Sequence, residues 1–166
     1  MTGPLTETFA NILWRSRNPI PLSVLIPFYR DDPAGQIRAL ASEAPAGVEF
    51  IAYDDGRPDA ALNDAVAALV DNLESPAALI TCRANRGRSA ARNRLAEAAR
   101  GDWLLFLDAD MAPPSGFLTR WLLAVENTSA DALFGGYSPA EPGPATAVHA
   151  RLAAVSDGHD AVARLK

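Results

Sequence analysis

Two carboxylates close the apolar run Trp103-Leu104-Leu105-Phe106-Leu107-Asp108-Ala109-Asp110. In an extended strand alternate side chains share a face, so Asp108 and Asp110 are expected to point the same way with backbones about 6.6 Å apart. That spacing suits two hard oxygen ligands of one hydrated cation. Ligands of open α/β sheets bind at the carboxyl ends of the strands, which is where this pair falls. The chemistry implied is a divalent metal held against a phosphorylated ligand. Two more strand tips carry unusual residues, namely Pro27-Phe28-Tyr29 and Asp54-Asp55-Gly56 followed by Arg57-Pro58-Asp59. Taken alone, Asp54-Asp55-Gly56 reads first as turn chemistry, and Asp-x-Asp ahead of Pro113 reads equally as a turn or helix cap. Together on one rim, four acids would repel one another unless a cation or hydrogen-bond donors lay among them.

The segment from Cys82 to Arg94 answers that charge. Arg83, Arg86, Arg88, Arg92 and Arg94 crowd one stretch of a chain whose net charge is −5. On a helix Arg88 and Arg92 stand four apart, a like-charge pair that destabilises the bare helix. A nearby anion would remove the cost, either the acidic rim or a diphosphate at the helix N-terminus. For any single arginine a solvated face is the simpler reading, and Asn85, Gly87 and Asn93 read as loop and capping residues.

Strand and helix patterns alternate in the elements that must position these groups. Residues 22–27, 48–53, 78–82, 103–107 and 132–136 are near-continuous apolar runs, expected as parallel strands covered on both faces. Asp32-Pro33 opens a helix to about Ser42. Asp59 caps a second with Leu62, Val66, Leu69, Val70 and Leu73 on one stripe. A third runs from about Ser89 to Arg100 before Gly101, and Pro113-Pro114 opens a fourth through Val125. The pattern predicts an α/β fold, an open, mostly parallel sheet flanked by helices. Residues 1–20 are expected as a helix and loop on the sheet edge, with Phe9, Leu13 and Trp14. Residues 21–137 form the main domain, and residues 138–166 a proline-rich loop with a helical tail.

Composition bounds the function. The chain has 166 residues, 49% hydrophobic and 21% charged, enough for one domain with a sizeable core. The acidic balance argues against a nucleic-acid partner. The single Cys82 lies in an apolar run and reads as a buried thiol in a reducing compartment. No transmembrane segment or signal peptide is found, which points to a cytoplasmic protein and leaves peripheral contact at the inner membrane face open.

The sequence resembles the donor half of a family 2 glycosyltransferase with a GT-A fold. The motifs that carry this are LSVLIPFY, FIAYDDGRPD, NRGRSAARN and AARGDWLLFLDAD. The family usually shows a strand ending Pro-x-Tyr-Asn, then Asp-Asp-Gly-Ser-x-Asp, Asn-x-Gly-x-x-x-Ala-Arg-Asn and Asp-Ala-Asp. The match spans residues 20–136 in order. Arg30 stands where asparagine is usual and Arg57 where serine is usual, so the nucleotide base stays open.

The resemblance implies a Rossmann-like GT-A domain, truncated after its donor-binding half. It implies transfer of a sugar from a nucleoside-diphosphate-sugar to a glycan, lipid or protein acceptor, with inversion. Pro27 and Tyr29 would line the base pocket, and Asp55 or Asp54 would accept a hydrogen bond from base or ribose. Asp108 would lie near ribose and metal, and Asp110 would bind Mg²⁺ or Mn²⁺ directly. Arg88 is a candidate for the donor diphosphate on the charge argument above, apart from the resemblance. The family's general base comes from beyond the fifth strand, and Asp157 and Asp160 are weak candidates for it. The expectation is therefore a chain that binds donor and metal but transfers poorly alone.

Gly135-Gly136-Tyr137 reads as a plain strand end, and His149 and His159 as surface residues. Rival readings are a non-catalytic nucleotide-sugar-binding module and a receiver-like signalling domain. The second needs a rim lysine, and the only lysine is Lys166. A P-loop nucleotidase is excluded because G-x-x-x-x-G-K-[ST] does not occur, and a haloacid-type phosphatase carries its Asp-x-Asp after the first strand.

Overall fold

The computed structural model describes residues 6–16, 18–56 and 59–135. Five strands form one sheet: β1 (Thr6–Ala10), β2 (Leu22–Phe28), β3 (Val48–Asp54), β4 (Ala77–Cys82) and β5 (Trp103–Phe106). Four helices follow strands β2 to β5 in turn: α1 (Ala34–Ala41), α2 (Ala60–Asp71), α3 (Arg88–Ala98) and α4 (Phe117–Glu126). Strand order is β1-β4-β3-β2-β5, with β2, β3, β4 and β5 parallel and β1 antiparallel to β4. This is the expected α/β architecture. Residues Met1–Asn127 form one compact unit and Thr128–Lys166 another.

Strand alternation sorts the core into two layers. Val24, Ile26 and Phe28 of β2 face Ile37 and Leu40 of α1, Val66 and Val70 of α2 and Leu118 of α4. Leu25, Ile51, Tyr53 and Ile80 face the other way, onto Ala91 and Leu95 of α3. Both faces of β2, β3 and β4 are thus covered, which explains their continuous apolar character; β5 departs from the expectation, because Leu104 and Phe106 on its other face are exposed. The starts expected for the first two helices are in place, whereas α4 begins at Phe117 behind Gly116 and not at Pro113-Pro114. Asp32 Oδ1 accepts the Ala34 amide at 2.8 Å, and Asp59 Oδ1 accepts the Leu62 amide at 3.1 Å.

At the amino ends of the parallel strands a buried charge pair ties three elements together. Glu49 is fully buried; it accepts from Ser23 Oγ at 2.6 Å and from the Arg100 backbone amide at 2.7 Å, with the Arg100 guanidinium at 2.8 Å. Arg100 stacks over the Trp14 ring, 4.1 Å from its centroid, and donates to the Trp14 and Ser16 carbonyls. The carboxylate has strong donors on both oxygens, the condition for tolerating a buried charge.

Two local expectations are corrected. The amino-terminal stretch forms strand β1 and a single 3₁₀ turn at Leu13–Arg15, not a helix holding Phe9, Leu13 and Trp14. Alternating Thr-Glu-Thr-Phe suits a strand, and pairing with β4 satisfies polar groups that an open edge would leave exposed. The fifth parallel strand expected at residues 132–136 is not formed over residues 132–135, which are irregular, with Phe134 76% exposed. Apolar character marks a candidate strand, but only a ladder partner makes one, and Gly135 weakens the case further. Expectations placed on Arg57, Gly136, Tyr137, the proline-rich loop and helical tail, His149, His159, Asp157 and Asp160 lie outside the described residues. Among the described residues no helix is long and apolar enough to cross a membrane.

Candidate functional site

From β2 the chain moves outward through β3 to β4, then crosses by α3 to β5 on the opposite side of β2. The carboxyl ends of β2 and β5 are therefore the point where winding reverses, and open sheets of this kind have their crevice there. A cleft of about 150 Å³ lies at this position, lined by Pro27, Tyr29, Asp31, Asp55, Arg88, Arg92, Asp108 and Asp110, with Phe28, Ala91 and Ala109 between them. Three strand tips and the start of α3 thus converge as expected. Pro27, Tyr29, Asp55, Arg88, Asp108 and Asp110 are brought together; Asp54 is not. Asp54 is buried, and its Oδ2 accepts from Asn63 of α2 at 2.9 Å. Successive residues of a strand face opposite ways, so only one of the two aspartates can reach the cleft, and that one is Asp55.

Asp55 also does structural work. Its two oxygens accept the backbone amides of Arg86 and Gly87, each at 2.8 Å, while its own amide donates to the Phe28 carbonyl at 3.0 Å. It ties the tips of β2 and β3 to the loop entering α3, which fixes Arg88 over the cleft. A carboxylate has about four acceptor positions, so two remain beyond those amides. Gly56 makes the contact possible. Its φ is +81°, and a Cβ there would lie 2.3 Å from Ala84 C and Asn85 N.

The Asp-x-Asp pair differs locally from its expected geometry. β5 ends at Phe106, and residues 108–111 form a turn closed by the Met111 amide on the Asp108 carbonyl at 3.1 Å. The two acids still line one cleft, but a turn rather than a pleat presents them. Their charge environments differ. Arg92 Nη2 lies 2.5 Å from Asp108 Oδ1, whereas no ion pair engages Asp110 among the described residues. Gln36, nine-tenths buried on α1, donates from Nε2 to the carbonyls of Asp108 at 2.9 Å and Met111 at 2.7 Å.

The arginine segment splits by function. Arg83 pairs with Glu7 on β1, Arg94 pairs with Glu97, and Arg88 and Arg92 face the cleft. Among the described residues no carboxylate pairs with Arg88, the open cation that a like-charge helical pair leads one to look for. Asp31 and Gln36 escaped the sequence reading. Asp31 had a signal, two residues beyond Tyr29; nothing in the order of residues ties Gln36 to position 108.

Hard carboxylate oxygens suit Mg²⁺ or Mn²⁺. No three His, Cys, Asp or Glu side chains among the described residues are grouped as a metal cage. A cation here would rest on two carboxylates, waters and ligand oxygens, the usual manner of Mg²⁺. A larger cavity of about 540 Å³ lies along the other side of α3, lined by Thr6, Tyr53, Cys82, Arg86, Ala90, Asn93 and Arg94. None of its described lining residues is a carboxylate, and burial pushes the Tyr53 hydroxyl above its usual range, so the phenol stays neutral. Size alone would select this cavity; topology and chemistry select the smaller cleft.

Comparison with known proteins gives a consistent result. The family described as Glycosyl transferase family 2 matches residues 23–160. A Mycobacterium tuberculosis (strain CDC 1551 / Oshkosh) protein named among glycosyltransferases is 30% identical over 119 residues, 69% of this chain and 34% of its own length. The uncharacterized glycosyltransferase YibD of Escherichia coli K12 is 33% identical over 109 residues, 64% of this chain and 31% of its own. The chain thus spans about a third of the length of these curated relatives.

Proposed function

This chain belongs to glycosyl transferase family 2, and from that premise we propose that its cleft holds the nucleoside diphosphate of an activated sugar during transfer to an acceptor. The observation that carries the reading is the meeting of Asp110 and Arg88, an acid and a cation with no ion pair among the described residues, with the tip of β2 at the switch point of the sheet. A diphosphate needs positive charge, and a hydrated divalent cation needs a carboxylate.

Tyr29 and Pro27 would form the wall for the base, with Arg30 stacked 5.7 Å from the Tyr29 ring centroid. Arg88, at the first turn of α3, would meet the diphosphate with helix amides beside it. Asp110 and Asp108 would hold Mg²⁺ or Mn²⁺; when bound, the ion offsets negative charge that builds on the departing diphosphate. Arg92, paired with Asp108, would then share that carboxylate with the ion. At about 150 Å³ the cleft is smaller than a full ligand pocket, so the sugar would extend beyond these walls toward an acceptor, a glycan, lipid or protein. The proposed reaction inverts the anomeric centre and needs a general base for the acceptor hydroxyl; none of the cleft residues is assigned that role.

Thermal melts with UDP, GDP, dTDP, CDP and ADP, each with and without Mn²⁺, test the reading. One nucleotide is expected to raise the melting temperature only when metal is present, and Asp110→Asn is expected to abolish that metal-dependent rise. A rise of equal size in the variant, or none with any nucleotide, would contradict the proposal.

A further inference from the structure

We infer that Gln36 is a positioning residue whose two donated hydrogen bonds set the Asp108–Asp110 turn in the orientation that binds metal; this rests on the donor-cleft reading above. The side chain crosses from α1 to a loop 72 residues away and donates from one nitrogen to the carbonyls of Asp108 and Met111, at 2.9 and 2.7 Å. These carbonyls bracket the turn, so fixing both fixes the peptide planes between them and with them the directions of the Asp108 and Asp110 side chains. The amide orientation is settled by chemistry, because the rotated form would set an acceptor oxygen against two carbonyls.

What the glutamine leaves undone is equally informative. Its Oε1 is buried and has no hydrogen-bond partner among the described residues. A buried unpaired acceptor costs free energy, which the two donated hydrogen bonds must offset. The gain from an amide here is the tie to the turn rather than packing. The connection from β5 to α4 is also restrained at its far end. Just beyond the end of α1, Glu43 accepts from Ser115 Oγ and from the Gly116 amide, each at 2.9 Å. The α1 segment thus grips the β5–α4 connection at two points, and Gln36 is the one beside the candidate metal ligands. Groups that orient a metal's direct ligands typically govern affinity by about 10–100-fold when removed.

The test compares wild type with Gln36→Met, which keeps length and removes the donor, and Gln36→Glu, which keeps shape and sets a carboxylate against two carbonyls. Affinity for the stabilising nucleoside diphosphate is measured with and without Mn²⁺, and amide exchange is followed at Met111 and through β2 and β3. Both variants are expected to lose about tenfold or more of the affinity in Mn²⁺ while metal-free affinity stays within about twofold. The Met111 amide is expected to exchange roughly tenfold faster with sheet amides unchanged. Wild-type behaviour in both variants would overturn the inference, as would loss of protection throughout the sheet, which would make Gln36 a core residue. Absence of metal-dependent binding in wild type would instead refute the donor-cleft reading. The Met111 exchange rate would then decide the tie by itself, an unchanged rate overturning it.

Discussion

At the scale of single residues, the two acids of the Asp-x-Asp turn have different partners and so different roles. Asp108 is neutralised by Arg92, a pair with both side chains about one-third to one-half exposed. Exposed pairs of this kind contribute little to stability, so Arg92→Met is expected to change unfolding free energy by under about 1 kcal/mol. Nucleotide affinity in the presence of metal should fall at least several-fold, because the cleft loses a cation; unchanged affinity would remove Arg92 from the site. Gly56 gives the opposite pattern. With φ at +81° and backbone atoms 2.3 Å from a would-be Cβ, Gly56→Ala forces the β3–α2 and β4–α3 loops apart. The expected cost is about 3 kcal/mol or more, read as a lower midpoint in urea with unchanged slope. Asp55 was legible in the sequence as a site residue, but its clamp on the Arg86 and Gly87 amides was not, since backbone hydrogen bonds leave no trace in residue identity.

At the scale of elements, the two rims of the sheet do separate work. The amino-end rim is stabilised by Glu49 and Arg100, and removing one partner strands the other charge. Arg100→Met is therefore expected to cost about 3 kcal/mol, a fall in melting temperature of roughly 10 °C, with the carboxyl-end cleft intact in what remains folded. A melt within about 2 °C of wild type would show that water replaces the guanidinium.

Just past the end of α1, Glu43 holds the start of α4, and the Gly116 amide and Ser115 hydroxyl lower its pKa from 4.5. The folded protein thus binds this proton less readily than the unfolded chain. The stabilisation is full above the unfolded value and fades as pH drops below about 4.5 toward the folded one. Glu43→Gln should flatten that part of the acid unfolding curve; an identical curve would show that the contact contributes nothing. Helix caps at Asp32 and Asp59 and the four parallel strands could be read from the chain because each is a local signal. The β1 strand and the irregular residues 132–135 could not, because pairing with a distant edge decides them.

At the scale of the whole molecule, winding order turns scattered acids into a site. Asp55 and Asp110 belong to strand tips separated by β2, and they meet because the chain reverses there. In the proposed reading, an acidic chain of net charge −5 would bind an anionic ligand at this point because Arg88 and Arg92 concentrate positive charge where the sheet opens. The order of motifs along the sequence was enough to place this rim. The assignment of Asp54 to the interior and the linkage of Gln36 to the turn depend on three-dimensional packing alone.

The most direct measurement is an electron paramagnetic resonance titration of Mn²⁺ into the wild-type chain and into Asp110→Asn, each with and without the stabilising nucleoside diphosphate. The expected result is loss of the free-ion signal only for wild type with nucleotide present. Equal capture of Mn²⁺ by Asp110→Asn, or capture by neither protein, would contradict a metal-assisted donor site at this cleft.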